Sequence, residues 1–312
     1  MEESLVSRSG LLSFFHDFLR KAVEDRYLKE ETSKKSFHLR LAEYFERHAT
    51  GDRKADELPW QLKEAEEWER LKDSITNLDM FHSLMTETKR YEPTGYWLLL
   101  GDRYDMVESY QASLQQYEQS SPDSKSLAYT YNLVADFLSN NAKYDAAEPL
   151  FRRALDISER VLGKDHPETA TSLNSLAKLL VVKGDFAGAE PLFRRALDID
   201  ERVLGKDTPN TAVSLNDLAK LFAIKGDYAG AEPLFRRALD IHERVLGKDH
   251  PDTATSLNNL ALLLDSKGDY EGAEPLYRRA LAIYEKVLGR DNPDTKQTLL
   301  NLKQLLKVKK KP

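Results

Sequence analysis

The chain has 312 residues, with 46 Lys and Arg against 52 Asp and Glu, and a formal net charge of −6. It has no cysteine, which excludes disulfides, thiol catalysis and zinc–thiolate sites. No apolar run approaches the roughly 20 residues of a membrane span and no secretory signal follows Met1, so a cytoplasmic protein without membrane contact is expected, and the acidic balance gives no support for nucleic-acid binding.

Residues 1–8 are polar. From Leu11 the sequence predicts a helix with the apolar face Leu12, Phe15, Leu19, Ala22 and Val23. A charged break at Glu30-Glu31-Thr32 precedes a second amphipathic helix carrying Phe37, Leu41, Ala42, Tyr44 and Phe45. The phrases Phe15-His16-Asp17-Phe18-Leu19-Arg20 and His38-x-x-Leu41-Ala42-x-x-Phe45 resemble the winged-helix end of signal-transduction ATPases of the NACHT and NB-ARC kind. That resemblance implies a winged-helix-like remnant over 1–50, in which His16 and Asp17 stand where the family senses the phosphates of a bound nucleotide. No Gly-x-x-x-x-Gly-Lys-(Ser/Thr) occurs anywhere in the chain, so nothing is present to cradle a triphosphate. No cofactor and no metal are expected. The resemblance implies the carboxy-terminal part of a larger ATPase or a relative that lost its motor, with a nucleotide-sensing fragment as a further alternative.

Residues 50–58 are polar and read as a linker. Beyond it Leu58, Trp60, Leu62, Trp68, Leu71, Ile75, Leu78 and Phe81 predict short helical hairpins, with both tryptophans in register with the core. The phrase Glu57-Leu58-Pro59-Trp60-x-Leu62 looks like the segment before the repeats in nephrocystin-type proteins. Tyr91-Glu92-Pro93 breaks this block, and Tyr96 to Tyr117 predicts a divergent helix pair that caps the amino-terminal end of a repeat array. Together these make a region of linker and capping hairpins over 51–118.

From 119 to 312 one 42-residue unit recurs, at about 126–167, 168–209, 210–251 and 252–293, closed by a capping helix at 294–310. The second and third units differ at nine of their 42 positions. A fixed period of this length means a solenoid in which each unit packs on its neighbours. Within 168–209, Leu173, Leu176, Ala177 and Leu180 form one apolar stripe. Pro167 suits the first helical position, Lys183-Gly184-Asp185 is a turn, and a second helix follows with Ala189, Phe193, Ala196 and Ile199 inward. Pro191 is expected in the first turn of that helix, since an interior proline removes a hydrogen bond. Ala177 and Ala196 and their equivalents are small so that helices can approach. Leu-Asn-x-Leu-Ala and Ala-Glu-Pro-Leu-(Phe/Tyr)-Arg-Arg-Ala-Leu resemble the tetratricopeptide repeats of the kinesin light chain and nephrocystin-type subfamily. The resemblance implies an all-α solenoid of helix-turn-helix repeats wound into a right-handed superhelix, with first helices lining its concave side.

No catalytic constellation is present. His166 and His250 alternate with Thr208 and Asn292, as helix N-caps would, and Arg152-Arg153 and their equivalents read as solvated or paired with Glu159-type residues. Asn132, Asn174, Asn216 and Asn258 fall once on each first helix. Asparagine is a poor helix former, and the resemblance implies that this ladder holds a partner peptide by its main chain. Lys178 and Lys220 stand one turn on, where the flanking units have Asp136 and Leu262, and Thr171, Val213, Asp217 and Thr255 vary beside them. The expected groove, Asn132, Thr171, Asn174, Lys178, Asn216, Lys220, Thr255 and Asn258, is basic at its centre and suits an extended partner segment with acidic residues near its middle. The expected activity is a non-enzymatic protein-interaction scaffold, monomeric or weakly self-associating. The alternative is an architectural protein whose repeats stack between chains.

Overall fold

The computed structural model describes residues 31–48, 50–86, 89–120 and 124–309, with side chains from 33 onward. Every regular element among them is helical, and the chain divides into two compact units, 1–120 and 121–312.

In the first unit α1 (Glu31–Glu46) pairs with α2 (Asp52–Glu64), followed by α3 (Trp68–Thr76), α4 (Leu78–Leu84), α5 (Glu92–Leu100) and α6 (Met106–Ser120). The linker expected at 50–58 is instead most of a helix. Its polar letters hide a buried stripe, because Ala55, Leu58 and Leu62 face inward and leave Asp52, Arg53 and Asp56 outside. Buried Glu57 also has a partner, since Gln61 donates to it at 3.1 Å while Gln61 bonds His38 at 2.7 Å. Tyr110 closes the core of this unit and donates to the Ile75 carbonyl at 3.1 Å. His16 and Asp17 lie outside the described residues.

The second unit is an array of antiparallel helix pairs. First helices are α7 (Lys125–Asn140), α9 (Pro167–Val182), α11 (Pro209–Ile224), α13 (Pro251–Ser266) and α15 (Pro293–Lys309). Second helices are α8 (Tyr144–Val161), α10 (Phe186–Ile199), α12 (Tyr228–Val245) and α14 (Tyr270–Val287). The predicted caps are in place. His166 and His250 each accept a backbone N–H through Nδ1 at 3.1 Å, where Thr208 and Asn292 do so with oxygen. The turn between paired helices needs a left-handed residue, and Gly226 supplies it at φ 80°. The first unit of the array has Ala142 there at φ 58°, a strain of about 1 kcal/mol. Asp227 then caps α12 by accepting from Gly230 N–H at 2.9 Å, and a Cβ at Gly230 would run into that carboxylate. Where Lys143 replaces the capping aspartate, Ala146 replaces the glycine.

The prolines 149, 191, 233 and 275 lie inside their helices rather than in the first turn, where the sequence leads one to expect them. Each is exposed, as are Ala187 and Ala229, whose carbonyls lose a backbone donor to Pro191 and Pro233, so water can replace the missing bond. The core is one layer repeated: Ala219, Ala231, Phe235, Leu260, Ala261 and Tyr277 are each at most 2% exposed and belong to a single cluster. On α15 Lys303 takes the place of Ala261 and is exposed, because no second helix packs on that face in this array.

Successive units are tied differently on their two sides. Each first helix comes close to the next first helix, and the second helices stay further apart. The second helices are joined by long side chains instead: Arg195 to Glu159 at 2.5 Å, and likewise Arg237 to Glu201 and Arg279 to Glu243. A further row runs from Lys183, Lys225, Lys267 and Lys309, at the carboxy-terminal ends of first helices, back to Glu148, Glu190, Glu232 and Glu274 on the preceding second helices at 2.5–2.7 Å. Lys183, then Arg152, holds the Glu148 carboxyl below the usual carboxylate range. Short links on one side and long ones on the other curve the array, with first helices inside.

Candidate functional site

The inner face is built from the outward positions of the first helices. Reading from the first unit of the array, these are Tyr129, Thr171, Val213 and Thr255; then Asp136, Lys178, Lys220 and Leu262; then Asn140, Val182, Ile224 and Ser266. All are exposed except half-buried Thr255. The members of each row lie roughly one unit apart because each helix repeats its predecessor's angle and register.

The middle row runs from an acid through two lysines to a leucine. Lys178 Nζ lies 2.8 Å from Asp217 Oδ2, and Lys220 Nζ lies 3.9 Å from the other oxygen of the same carboxylate, whose side chain is 7% exposed. The basic centre expected from Lys178 and Lys220 is therefore balanced by Asp217, on the same helix as Lys220. At one end Asp136 is open to solvent yet flanked closely by protein. That desolvation pushes its carboxyl up to about 6, against the opposing pull of Lys178. Thr171 donates to the Pro167 carbonyl at 3.3 Å, and Thr255 donates to the Pro251 carbonyl at 3.2 Å and bonds the Tyr284 hydroxyl at 2.8 Å.

The asparagines are placed differently from an open ladder. Asn132, Asn174 and Asn216 donate through Nδ2 to the hydroxyls of Ser172, Ser214 and Ser256 at 2.9–3.0 Å, each on the next first helix. Asn258 accepts from Thr298 at 3.4 Å. Asn174 is 8% exposed and Asn216 5%. Burial of a polar amide costs a few kcal/mol unless it is bonded, and the serine of the following unit supplies that bond. The amide oxygens of Asn132, Asn174 and Asn216 face no hydrogen-bond partner and no solvent in this arrangement.

The serines carry the chain of contacts further. Ser172 bonds Ser158 at 3.1 Å, Ser214 donates to Asp200 at 2.6 Å, and Ser256 bonds His242 Nδ1 at 2.9 Å. Every member sits between units. Sequence reasoning missed this set, although it left a signal: a hydroxyl stands 40 residues after each asparagine, and polar letters recur at 158, 200, 242 and 284 on otherwise apolar helix faces. Among the described residues no group of three His, Cys, Asp or Glu side chains could hold a metal ion.

Residues 38–244 match the model of the nephrocystin-3 TPR domain, and residues 218–286 match a tetratricopeptide repeat model. A TPR repeat-containing protein of Dictyostelium discoideum is 29% identical over 174 residues, which is 50% of this chain and 10% of that protein. Nephrocystin-3 of Xenopus laevis is 30% identical over 174 residues, 53% of this chain and 13% of its own length. The match thus spans about a tenth of each of these relatives. Among solved structures, BtubC (BKLC) from P. vanneervenii aligns with a TM-score of 0.55 at 26% identity, over 65% of this chain and 84% of that one. A singly substituted form of a putative kinesin light chain of Podosopora anserina, described as having nearly identical TPR-like repeats, aligns with a TM-score of 0.52 at 19% identity over 74% and 97% of the two chains. That last likeness is one of fold.

Proposed function

Since the chain belongs to the nephrocystin-3 tetratricopeptide repeat family, we propose that it is a non-enzymatic interaction module whose first helices grip an extended segment of a partner protein. The observation that carries this reading is where two nearly identical units differ. Units 168–209 and 210–251 share their exposed outward residues Pro191/Pro233, Arg194/Arg236, Asp198/Asp240, Arg202/Arg244 and Val203/Val245. On the inner face they depart at Thr171/Val213, Ser175/Asp217 and Val182/Ile224. Copies that match at these exposed outward positions and differ inside the curve suit a surface that reads a ligand.

A partner segment with a carboxylate near its centre fits best. Lys220 is the more loosely paired of the two central lysines, and a ligand carboxylate can compete with Asp217 for both. Val182, Val213, Ile224 and Leu262 flank these charges with apolar surface. The asparagines act in this proposal by fixing the spacing of the rows. The test compares the full chain, immobilised, with a Lys178→Glu, Lys220→Glu variant in a pull-down. The specific partner should bind the variant at least about tenfold more weakly, since like charges would face its carboxylate. Equal capture by both forms would remove the inner face from the function.

We also propose that this module serves as the sensor arm of a larger signal-transduction ATPase. The support is the His16–Asp17 phrase, together with relatives of which the matched region is only 10% and 13%. Reading the gene upstream of Met1 for an in-frame phosphate-binding loop decides it, and its absence there ends the idea.

A further inference from the structure

The junctions between units share two letters and differ in the third. Each has an asparagine on one first helix and a hydroxyl on the next, and the second helix of the earlier unit adds Ser158, Asp200 or His242. Asp200 and His242 are 4% and 2% exposed. They occupy equivalent positions in units that otherwise differ at only eight sites. Two neighbouring joints of the same build therefore bury a potential acid in one case and a potential base in the other. We propose that acid acts on these joints in opposite directions, tightening the one built on Asp200 and loosening the one built on His242.

The hydrogen-bond chains show why. At the Asp200 joint the polarity is fixed: Asn174 N–H donates to Ser214, whose hydroxyl donates to the carboxylate. The carboxyl can take up a proton there and keep its place, and doing so removes a buried charge. Glu201 and Arg202 beside it are turned outward to Arg237 and Asp165, and α11 reaches Asp200 through Ser214. The α10 helix widens into a π turn at Asp200–Leu204, with Gly205 N–H bonded to the Asp200 carbonyl at 3.1 Å.

At the His242 joint Asn216 N–H donates to the Ser256 hydroxyl oxygen, and His242 Nδ1 lies 2.9 Å from the same oxygen. With the neutral ring carrying its proton on Nε2, Nδ1 accepts the Ser256 hydroxyl. A proton arriving at Nδ1 makes that nitrogen a donor. Ser256 would then face two donors and have to turn its own hydrogen away, and the ring would carry a buried charge. From α13 the Asp252 carboxylate favours the charged ring and the His250 imidazole disfavours it; from α11 the Pro209 backbone favours it. On its own helix Glu243 and Arg244 are turned outward to Arg279 and Asp207.

Burial sets both directions. It raises the Asp200 carboxyl, with Ser214 opposing, and lowers the His242 imidazole despite Asp252. A raised carboxyl favours the folded joint at low pH, and that advantage disappears as pH rises through the folded value. A lowered imidazole leaves the joint intact above the ordinary histidine value and weakens it as pH falls.

Amide hydrogen exchange on the full chain, at about pH 5 and about pH 8 and corrected for intrinsic rates, reads each joint through the second helix that carries its third residue. Relative to α8, which carries Ser158, α12 should lose protection severalfold on acidification, and the end of α10 at Asp200 should gain it. His242→Ser copies the Ser158 joint and should abolish the loss in α12, while Ser158→His should transfer an acid-induced loss to α8. If α10 and α12 follow α8 at both pH values, or if His242→Ser retains the loss and Ser158→His creates none, the proposal is overturned. None of these readouts requires a bound partner, so the result is independent of the peptide-binding reading.

Discussion

Lysine in place of Ala219 is expected to unfold the repeat array. Ala219 is 0% exposed and packs among Ala231, Phe235, Leu260 and Ala261, where α11 meets its partner helix. A longer side chain there overpacks the contact, at about 1–3 kcal/mol, and an ammonium group without a carboxylate adds about 3–5 kcal/mol. The sum rivals the ~5–15 kcal/mol that holds an ordinary domain together. The chain supplies its own control, because Lys303 occupies the equivalent position on α15, where it is exposed. Lys303→Ala should change stability by no more than about 0.5 kcal/mol. Urea denaturation followed by circular dichroism measures both. A native midpoint for Ala219→Lys would mean that the close approach of paired helices is not what the small residues secure.

Ser214→Ala should have the next largest effect, although it removes a single oxygen. That hydroxyl accepts from Asn174 at 3.0 Å and donates to Asp200 at 2.6 Å, and all three groups are buried. Without it an amide N–H and a carboxyl both lose their partner, at about 1–3 kcal/mol each. The expected loss is about 2–5 kcal/mol, far more than the transfer free energy of a hydroxyl would suggest. Ser214→Thr keeps the hydroxyl, as Thr298 does on α15, and should recover most of the difference. If Ser214→Ala is as stable as the wild-type chain, the polar contacts between units contribute nothing to holding them.

Much of this architecture is legible in the sequence because a 42-residue period repeats each local rule several times. The caps at His166, Thr208, His250 and Asn292 follow from one position accepting three side chains that can all bond a helix N-terminus. Residues 50–58 look like a linker, yet a helix needs only two or three inward letters, and Ala55 and Leu58 are enough. The prolines sit deeper in their helices than local rules suggest, because the sequence does not show which interior carbonyls water can reach. The asparagines look open because the first helices lie inside the curve, while the partner of each stands 40 residues on. Spacing within one unit says which face a residue occupies. It does not say how near the next unit comes.

The unequal ties along the array have a mechanical consequence. Hydrogen bonds sealed from solvent and the Lys178–Asp217 pair join the inner edge, and ion pairs that reach water join the outer one. Mobile ions screen charges over about 8 Å at physiological ionic strength and about 3 Å at 1 M, so added salt should slacken the outer edge more than the inner one. A strip relaxed along one border bends further toward the other. The pitch of the array and the width of its groove are therefore expected to change with ionic strength.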